Sequence, residues 1–541
     1  MSAMKKILCL TFIVFSFLQA GLAQGLHVDS TRFITGLRPG TSISYAIPTN
    51  DKGILFVGAM AGNPGGIIPS FPLDTVLNNV LIGKIDSEQK ISWIKVYGGT
   101  SDDAATSACQ TKDGGYAILA GTGSSNGDVT GFKGISDIWL LKIDADGNLQ
   151  WEKTYGSTSQ DAPVSIDNTD DNGFIVLGLS YGSDMDVPFH YGSTLLTDWI
   201  VIKTDSAGTV QWSKDLGGNA EEGFGSIIAG DNGYYIAATS ASIDHNCTDT
   251  AWHPAIHGTG TGLNYHLAKL DVAGVVLWDS SYGGSHGEDI VNAMFDKRDS
   301  SIVMIGSTGS PDYMVTGYQG NGDIWVVKAN SQGKLLWQKT LGTPDEDYGT
   351  GICAGPNGGY MAYGWTHPGT GGGDCLLYYL SSSGAELNIK TIGGSGYDVS
   401  ASILPYLHGY LATGNSDNTK VFSEGSTYGN FDTSVNPNGG GLFISYLDSV
   451  TLGVMPMDKI TGNSILVYPN PVSEFLSVLL VEKMTGTLII FNSVGQIVYK
   501  KEINQNSGTI NVDTREWSNG IYCVAWGDER GTIQTGKFIK M

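Results

Sequence analysis

Six acids recur at one position of a repeated segment. Asp103, Asp161, Glu222, Glu288, Asp347 and Asp398 each stand five residues after a glycine: Gly98, Gly156, Gly217, Gly283, Gly342 and Gly393. Carboxylates at equivalent points of a repeat either form a cation-binding crown or accept backbone N–H groups in their own loops. Repetition in every copy favours the folding role. The Asp or Asn that opens another recurrent segment (Asn79, Asp137, Asp198, Asn264, Asp323) reads the same way. Asn126-Gly127-Asp128 and Asp184-Met185-Asp186 offer oxygen ligands of the kind calcium takes. Neither supplies the roughly twelve-residue ligand series of a strong calcium loop, so calcium is a secondary expectation and no cofactor is required. One insertion gathers His245, Cys247, His253 and His257, the donor types of a zinc site. Pro254 blocks a helix that would put the histidines on one face, so the segment reads first as a surface loop. Gly283-Gly284-Ser285-His286-Gly287 matches G-x-S-x-G, which needs a strand–elbow–helix setting, and no helix follows. H-E-x-x-H, the P-loop and the dinucleotide fingerprint are absent. No catalytic residue is assigned.

The elements that position these residues form a repeat. Lys84, Lys142, Lys203, Lys269 and Lys328 are each followed nine residues later by Trp93, Trp151, Trp212, Trp278 and Trp337, and the recurrent glycine comes five residues after each Trp. A sixth copy keeps the spacing with Tyr379 and Asn388 in the Lys and Trp places. Each unit predicts four strands, rich in β-branched and aromatic residues and punctuated by Gly, Asp and Asn. Four strands per unit is the signature of a β-propeller blade, lengthened here by loops such as residues 122–136. Residues 36–58 look like the back half of a unit, and residues 441–448 like a front strand lacking its back half. Together they predict one composite blade, which would remove two free sheet edges. The expectation is an all-β chain: a seven-bladed β-propeller over residues 24–450, closed by its N- and C-terminal strands.

Composition narrows the function. The chain has 541 residues, 76 of them glycine, and a formal net charge of −23. Such acidity argues against a nucleic-acid partner. Lys5 and Lys6, the apolar run 7–17, and Gly21 and Ala23 before Gln24 predict an export signal over residues 1–23. No later apolar run reaches transmembrane length. Once the export signal with Cys9 is removed, the five that remain, Cys109, Cys247, Cys353, Cys375 and Cys523, are too few and too odd in number for a disulfide framework, and read as small buried residues, with Cys353–Cys375 one conceivable bridge.

After a linker over 451–464, residues 465–541 show short apolar runs between turn residues, as in a small Ig-like β-sandwich. Tyr468-Pro469-Asn470-Pro471, then Gly495, then Gly520 and Tyr522, then Lys537 and Lys540 come in the order of a type A C-terminal sorting domain of the type IX secretion system, which this segment resembles. The resemblance implies export to the periplasm, recognition by the outer-membrane translocon and its processing machinery, and release or attachment at the cell surface. In the body, the Asp-x-x-Gly turn followed by Trp is loosely similar to pyrroloquinoline-quinone propeller repeats, without their Thr-Gly step. The expected function is non-catalytic binding, adhesion or scaffolding, with a glycan or protein ligand on a propeller face. The alternative is a secreted hydrolase or lyase acting on polysaccharide or peptide.

Overall fold

The computed structural model describes residues 26–34, 41–61, 77–88, 90–247, 262–367, 372–393, 397–406, 409–416, 441–449, 466–468, 472, 475–480, 484–492, 496–505, 508–527 and 533–540. The segments 1–23 and 451–464 lie outside them. The chain divides into a body, Val28–Asp448, and a second unit that includes Ser449–Met541.

Strand β1 (Leu26–Ile34) is followed by β2 (Ser42–Pro48), β3 (Ile54–Ala61), β4 (Asn78–Ile85) and β5 (Ile91–Tyr97), which form one sheet in that order. The same arrangement repeats in β6 (Asp103–Gln110), β7 (Tyr116–Thr122), β8 (Asp137–Ile143) and β9 (Leu149–Tyr155). It repeats again in β10 (Asp161–Asn168), β11 (Phe174–Ser180), β12 (Asp198–Thr204) and β13 (Val210–Leu216). Next come β14 (Glu222–Gly230), β15 (Gly233–Ser240), β16 (Asn264–Leu270) and β17 (Val276–Tyr282), then β18 (Glu288–Asp296), β19 (Ser301–Thr308), β20 (Asp323–Ala329) and β21 (Leu335–Leu341). The sixth set is β22 (Glu346–Ala354), β23 (Tyr360–His367), β24 (Cys375–Leu380) and β25 (Glu386–Ile392). Finally β26 (Asp398–Tyr406), β27 (Gly409–Ser416) and β28 (Gly441–Ser449) take β1 as their fourth member, in the order β1-β28-β27-β26.

The body therefore holds seven four-stranded sheets among the described residues. Their boundaries differ from the sequence expectation by half a unit. The four sheets from β6 to β21 each run from the acid-bearing strand to the Trp strand. Of the segment 36–58, the described strands β2 and β3 do not complete the sheet of 441–448: β3 pairs with β4, and β28 takes β1 as its second neighbour. A periodic sequence carries no phase, so the grouping of strands is set by which hairpins stay in one sheet.

The nine-residue Lys–Trp spacing is a hairpin register. Lys84 faces Trp93, Lys142 faces Trp151, Lys203 faces Trp212, Lys269 faces Trp278 and Lys328 faces Trp337. The buried lysines reach back to the turn between the first two strands: Lys84 to Asp51 at 2.8 Å, Lys142 to Asp113 at 2.9 Å, Lys203 to Asp171 at 2.8 Å and Lys328 to Asp299 at 2.6 Å. Lys269 instead sits over the Tyr235 ring, 3.8 Å from its centroid. Each Trp carries the turn glycine of the following repeat. Gly208, with φ +75°, lies so close that a Cβ there would stand 2.7 Å from the Trp151 ring.

The two middle strands of each complete sheet are buried almost throughout, as in β8 and β12, whereas the fourth strand alternates toward solvent. Such burial requires cover on both faces, and that explains their near-continuous apolar composition. Neighbouring sheets touch through their first strands: β2 with β6, β6 with β10, β10 with β14, β14 with β18, β18 with β22, β22 with β26, and β26 with β2. Each first strand breaks register near its start, for example between Ala105 and Ser107 and between Ile290 and Asn292. A bulge there bends and twists the strand. Between the last and first of these sheets, Asn415 accepts a bond from Ile43 N at 3.0 Å and donates one to Ile43 O at 3.1 Å, and the Tyr406 hydroxyl donates to Lys52 O at 2.8 Å.

The second unit contains β29 (Leu466–Tyr468), β30 (Phe475–Leu480), β31 (Met484–Asn492), β32 (Ile497–Gln505), β33 (Gly508–Asp513), β34 (Gly520–Gly527) and β35 (Ile533–Lys540). They form two sheets, β29-β30-β33 and β32-β31-β34-β35. Val472, Leu476, Val478, Leu488, Ile490, Ile510, Val512, Tyr522, Val524 and Phe538 make a buried core. Among the described residues the five cysteines are free thiols: four are buried, Cys523 is exposed, and Cys353 and Cys375 are not bridged.

Candidate functional site

The recurrent acids are pegs within loops. Asp103 accepts from Gly99 N at 2.8 Å, Asp161 from Ser157 N at 2.6 Å, Glu288 from Gly284 N at 3.2 Å and Asp347 from Thr343 N at 2.6 Å. Hydroxyls of the second strand or the loop after it add bonds, such as Ser240 to Glu222 at 2.9 Å and Thr308 to Glu288 at 3.0 Å. Asp398 is likewise fully buried. Spacing alone explains this: an acid five residues after the glycine begins the next strand and faces back onto the N–H of the residue that follows that glycine.

Where a third strand opens with Asp, at Asp137, Asp198 and Asp323, that residue lies beside the acid of the next sheet, Asp161, Glu222 and Asp347 in turn. One oxygen of Asp137 accepts from Lys133 N at 2.7 Å, and one of Asp323 from Gln319 N at 2.6 Å, while their other oxygens meet no donor among the described residues. Burial pushes Asp137 and Asp323 up to about 6, with the carboxylates of Asp161 and Asp347 adding to the shift. Burial takes Glu288 up to about 7.

An acid raised in the folded state favours the fold while protonated. Its contribution is complete below the unfolded value, about 4, and is lost as pH rises. Between pH 5 and pH 8, Asp113 and Asp171 add no slope, because Lys142 and Lys203 hold them near about 2 against the effect of burial. These raised acids should therefore draw stability down across this interval, by on the order of 1–3 kcal/mol each, while His266, which burial holds down to about 4, works the other way below about 6.5. Asn occupies the same position at Asn79 and Asn264, so a D137N/D323N variant should fold and show a flatter pH profile in denaturant melts. An unchanged profile would remove these two acids as its source.

The loops considered for calcium have their oxygens engaged. Asn126 accepts from Thr100 N at 3.0 Å, Asp128 from Gly98 N at 3.1 Å, Asp184 from Thr158 N at 2.7 Å and Asp186 from Gly156 N at 3.2 Å. His245 is exposed at φ +53°, its ring 4.6 Å from that of Tyr191. Cys247 is buried instead, its sulfur 3.9 Å from Glu222 Oε1. The two diverge, and His253 and His257 lie outside the described residues. Ser285 is an exposed residue of the loop between β17 and β18.

Two groupings stand out where single sheets depart from the repeat. The first lies on β22 and β23. The register sets Tyr348 opposite Trp365 and Glu346 opposite His367. The Tyr348 and Trp365 rings stack at 5.0 Å, and Tyr397 closes on His367 at 5.4 Å. Glu346 accepts from the Tyr348 hydroxyl at 3.1 Å and lies 3.4 Å from His367 Nδ1. Tyr348 is 38% exposed, and the side chains of Glu346 and His367 are 45% and 43% exposed, so the group meets solvent. The equivalent pairs elsewhere are Ala104 with Gly121, Ala162 with Leu179, Asp289 with Ser307 and Val399 with Asn415.

The second grouping is buried. His190, Asp198 and Asp215 bring one ligand atom each to within 4.8 Å of one another. Asp198 opens β12 and Asp215 lies on β13, where it pairs with Ile200. Residues 198 and 200 share a face, so the two carboxylates meet diagonally on it. Burial raises both acids, and Asp198 adds to the rise in Asp215. Sequence reasoning missed His190, Asp215, Tyr348 and Trp365. The available signal was departure from the repeat: Asp215 stands three residues after Trp212, where Val96, Thr154, Ser281 and Thr340 stand in other units.

In the sorting segment, Tyr468 ends β29, while Pro469, Asn470, Pro471 and Gly495 lie outside the described residues. Gly520 pairs with Lys540, and Lys537 with Cys523, so motifs distant in sequence are antiparallel neighbours. Tyr522 is buried and donates its hydroxyl to Ser518 O at 2.7 Å.

Comparison with known proteins gives the following. The regulatory protein FlaEY of Caulobacter vibrioides is 28% identical over 192 residues, 34% of this chain and 18% of that protein. The chain thus spans under a fifth of this relative's length. Among solved structures, the Neurospora crassa Pan2 WD40 domain matches with a TM-score of 0.43 at 9% identity, covering 79% of this chain and 97% of that one. Sqt1 from Chaetomium thermophilum matches with a TM-score of 0.37 at 12% identity, covering 73% and 83%. Residues 466–541 match the family described as secretion system C-terminal sorting domain. With two β-sheets around one core and the last two sorting motifs, Gly520 with Tyr522 and Lys537 with Lys540, set on adjacent strands, this segment is a type IX sorting domain, and the protein that carries it is one exported to the cell surface or released from it.

Proposed function

We propose that the exported body is a closed seven-bladed propeller that binds glycan without transforming it. In this reading β1 and β26 to β28 share the closing blade, residues 1–23 are the export signal, and the sorting domain is an Ig-like sandwich engaged by the translocon. The succession of first-strand contacts from β2 round to β26 and back supports closure. A sheet supplied by both chain ends leaves no free edge in the ring.

One observation carries the ligand class. Among the equivalent first-strand pairs described in the body, Tyr348 with Trp365 alone sets two aromatic rings face to face; the others join small, aliphatic or polar residues. Exposed aromatic faces take the apolar face of a sugar ring, and flanking carboxylate and imidazole groups take its hydroxyls. Glu346, His367 and Tyr397 stand beside Trp365 in those places.

The test is a glycan array with the full chain, followed by titration of each hit. Trp365→Ala should weaken binding about tenfold or more, as truncation of a central aromatic anchor does, and should leave the melting temperature nearly unchanged. Equal binding by the variant would sink the assignment of this face.

A further inference from the structure

We infer that His190, Asp198 and Asp215 form a divalent transition-metal site, with zinc as the best-matched ion. It is separate from the aromatic group and does not depend on it.

The histidine is oriented as a ligand. Its Nε2 lies 3.2 Å from Ser193 O, which assigns the proton to that nitrogen and leaves Nδ1 as a lone pair. Nδ1 lies 3.1 Å from Asp198 Oδ2, with side-chain exposures of only 3% and 1%. Two acceptors at that separation need a proton or a cation between them. A carbonyl on the far nitrogen is also the outer contact that metal-bound histidines commonly make.

Asp215 supplies the independent observation. It is 7% exposed, and neither of its carboxylate oxygens meets a donor among the described residues. Its close polar neighbour is the Asp198 carboxyl, and two buried carboxyl groups side by side must share a proton or hold a cation between them. Other sheets treat this position differently. Thr154 and Thr340 donate to the loop carbonyls of Thr130 and Thr316 at 3.0 and 2.8 Å. In the sheet of Thr154, the loop between β7 and β8 also places a cation there, the Lys133 ammonium, 2.5 Å from Thr154 O. Here the equivalent place holds an acid and an imidazole.

Glu222 brings a third carboxyl group. Its Oε2 and Asp198 Oδ1 flank Gly217, where a Cβ would stand 2.6 and 3.0 Å from them, and both oxygens lack donors among the described residues. The donor set is therefore one imidazole nitrogen and two carboxylates, with a further carboxylate close by. Zinc accepts this mixture, while calcium and magnesium prefer oxygen alone. The ion would clasp the 181–197 loop, which carries His190, to the face of β12 and β13.

The experiment uses the full chain, stripped with chelator and titrated with zinc chloride by calorimetry, with metal content read by mass spectrometry. One zinc per chain is expected, with a rise in melting temperature, and calcium chloride should produce neither. Cobalt substitution should give the visible bands of a low-coordinate nitrogen–oxygen site. Asp215→Thr, which installs the residue found at Thr154 and Thr340, should fold, weaken zinc binding about hundredfold or more and abolish the cobalt bands. His190→Gln should do the same. Failure of the stripped protein to take up one zinc overturns the inference. So does stoichiometric zinc that survives both substitutions, since it would then lie elsewhere.

Discussion

Deleting residues 466–541 should abolish delivery to the cell surface and hold the body in the periplasm. The physical basis is that an address read by a translocon is a folded surface, not a composition. Gly520 and Lys540 are 20 residues apart in sequence yet paired across β34 and β35. Tyr522 stacks on Phe538 with centroids 5.5 Å apart, and both pack beneath those strands. Phe538→Ala should therefore fail in nearly the same way as the deletion. Removing a fully buried phenylalanine costs about 3–5 kcal/mol, more than a unit of under 80 residues can usually spare. Surface labelling of intact cells against periplasmic extracts measures both variants. Normal surface labelling of the deletion would refute the sorting assignment.

Trp325→Ala should destabilise the body by about 3–5 kcal/mol, the range for an unrelieved aromatic cavity. Trp325 is fully buried. Its ring contacts Tyr265 of the neighbouring sheet at 4.7 Å, and its Nε1 donates to Gln338 at 2.7 Å. Its carbonyl accepts the Tyr265 hydroxyl at 2.9 Å, so the residue ties two sheets together. Denaturant melts of the purified chain read the loss. A change below about 1 kcal/mol, the usual scale for a surface position, would show that the two sheets do not depend on this contact. The contrast with Trp365→Ala is informative. One tryptophan lies between sheets and supports the fold, while the other lies among half-exposed groups and is expected to affect binding alone.

Much of the fold was legible because its determinants are local. The Lys–Trp interval is a hairpin register, and the glycine–acid interval is the reach of a carboxylate to a nearby N–H. Both repeat at fixed spacing, so Lys142, Trp151, Gly156 and Asp161 announce their relation without a structure. The reading of the recurrent acids as structural pegs follows from the same locality. The lysines were less legible. Their partners Asp51, Asp113, Asp171 and Asp299 sit about thirty residues upstream, in the turns between first and second strands, and no short-range pattern links them.

By itself the sequence determined strand content, the period, the turn positions and the sorting segment at the end. These depend on residue types and on separations of a few residues. The tertiary structure decided where one sheet stops and the next begins, because a repeat has no phase until its strands choose partners. It made β1, not β2 or β3, the neighbour of β28. It also brought His190 to Asp215 and stacked Tyr348 on Trp365. Those contacts depend on sheet register, loop path and exclusion of water, which act between residues that spacing alone does not relate.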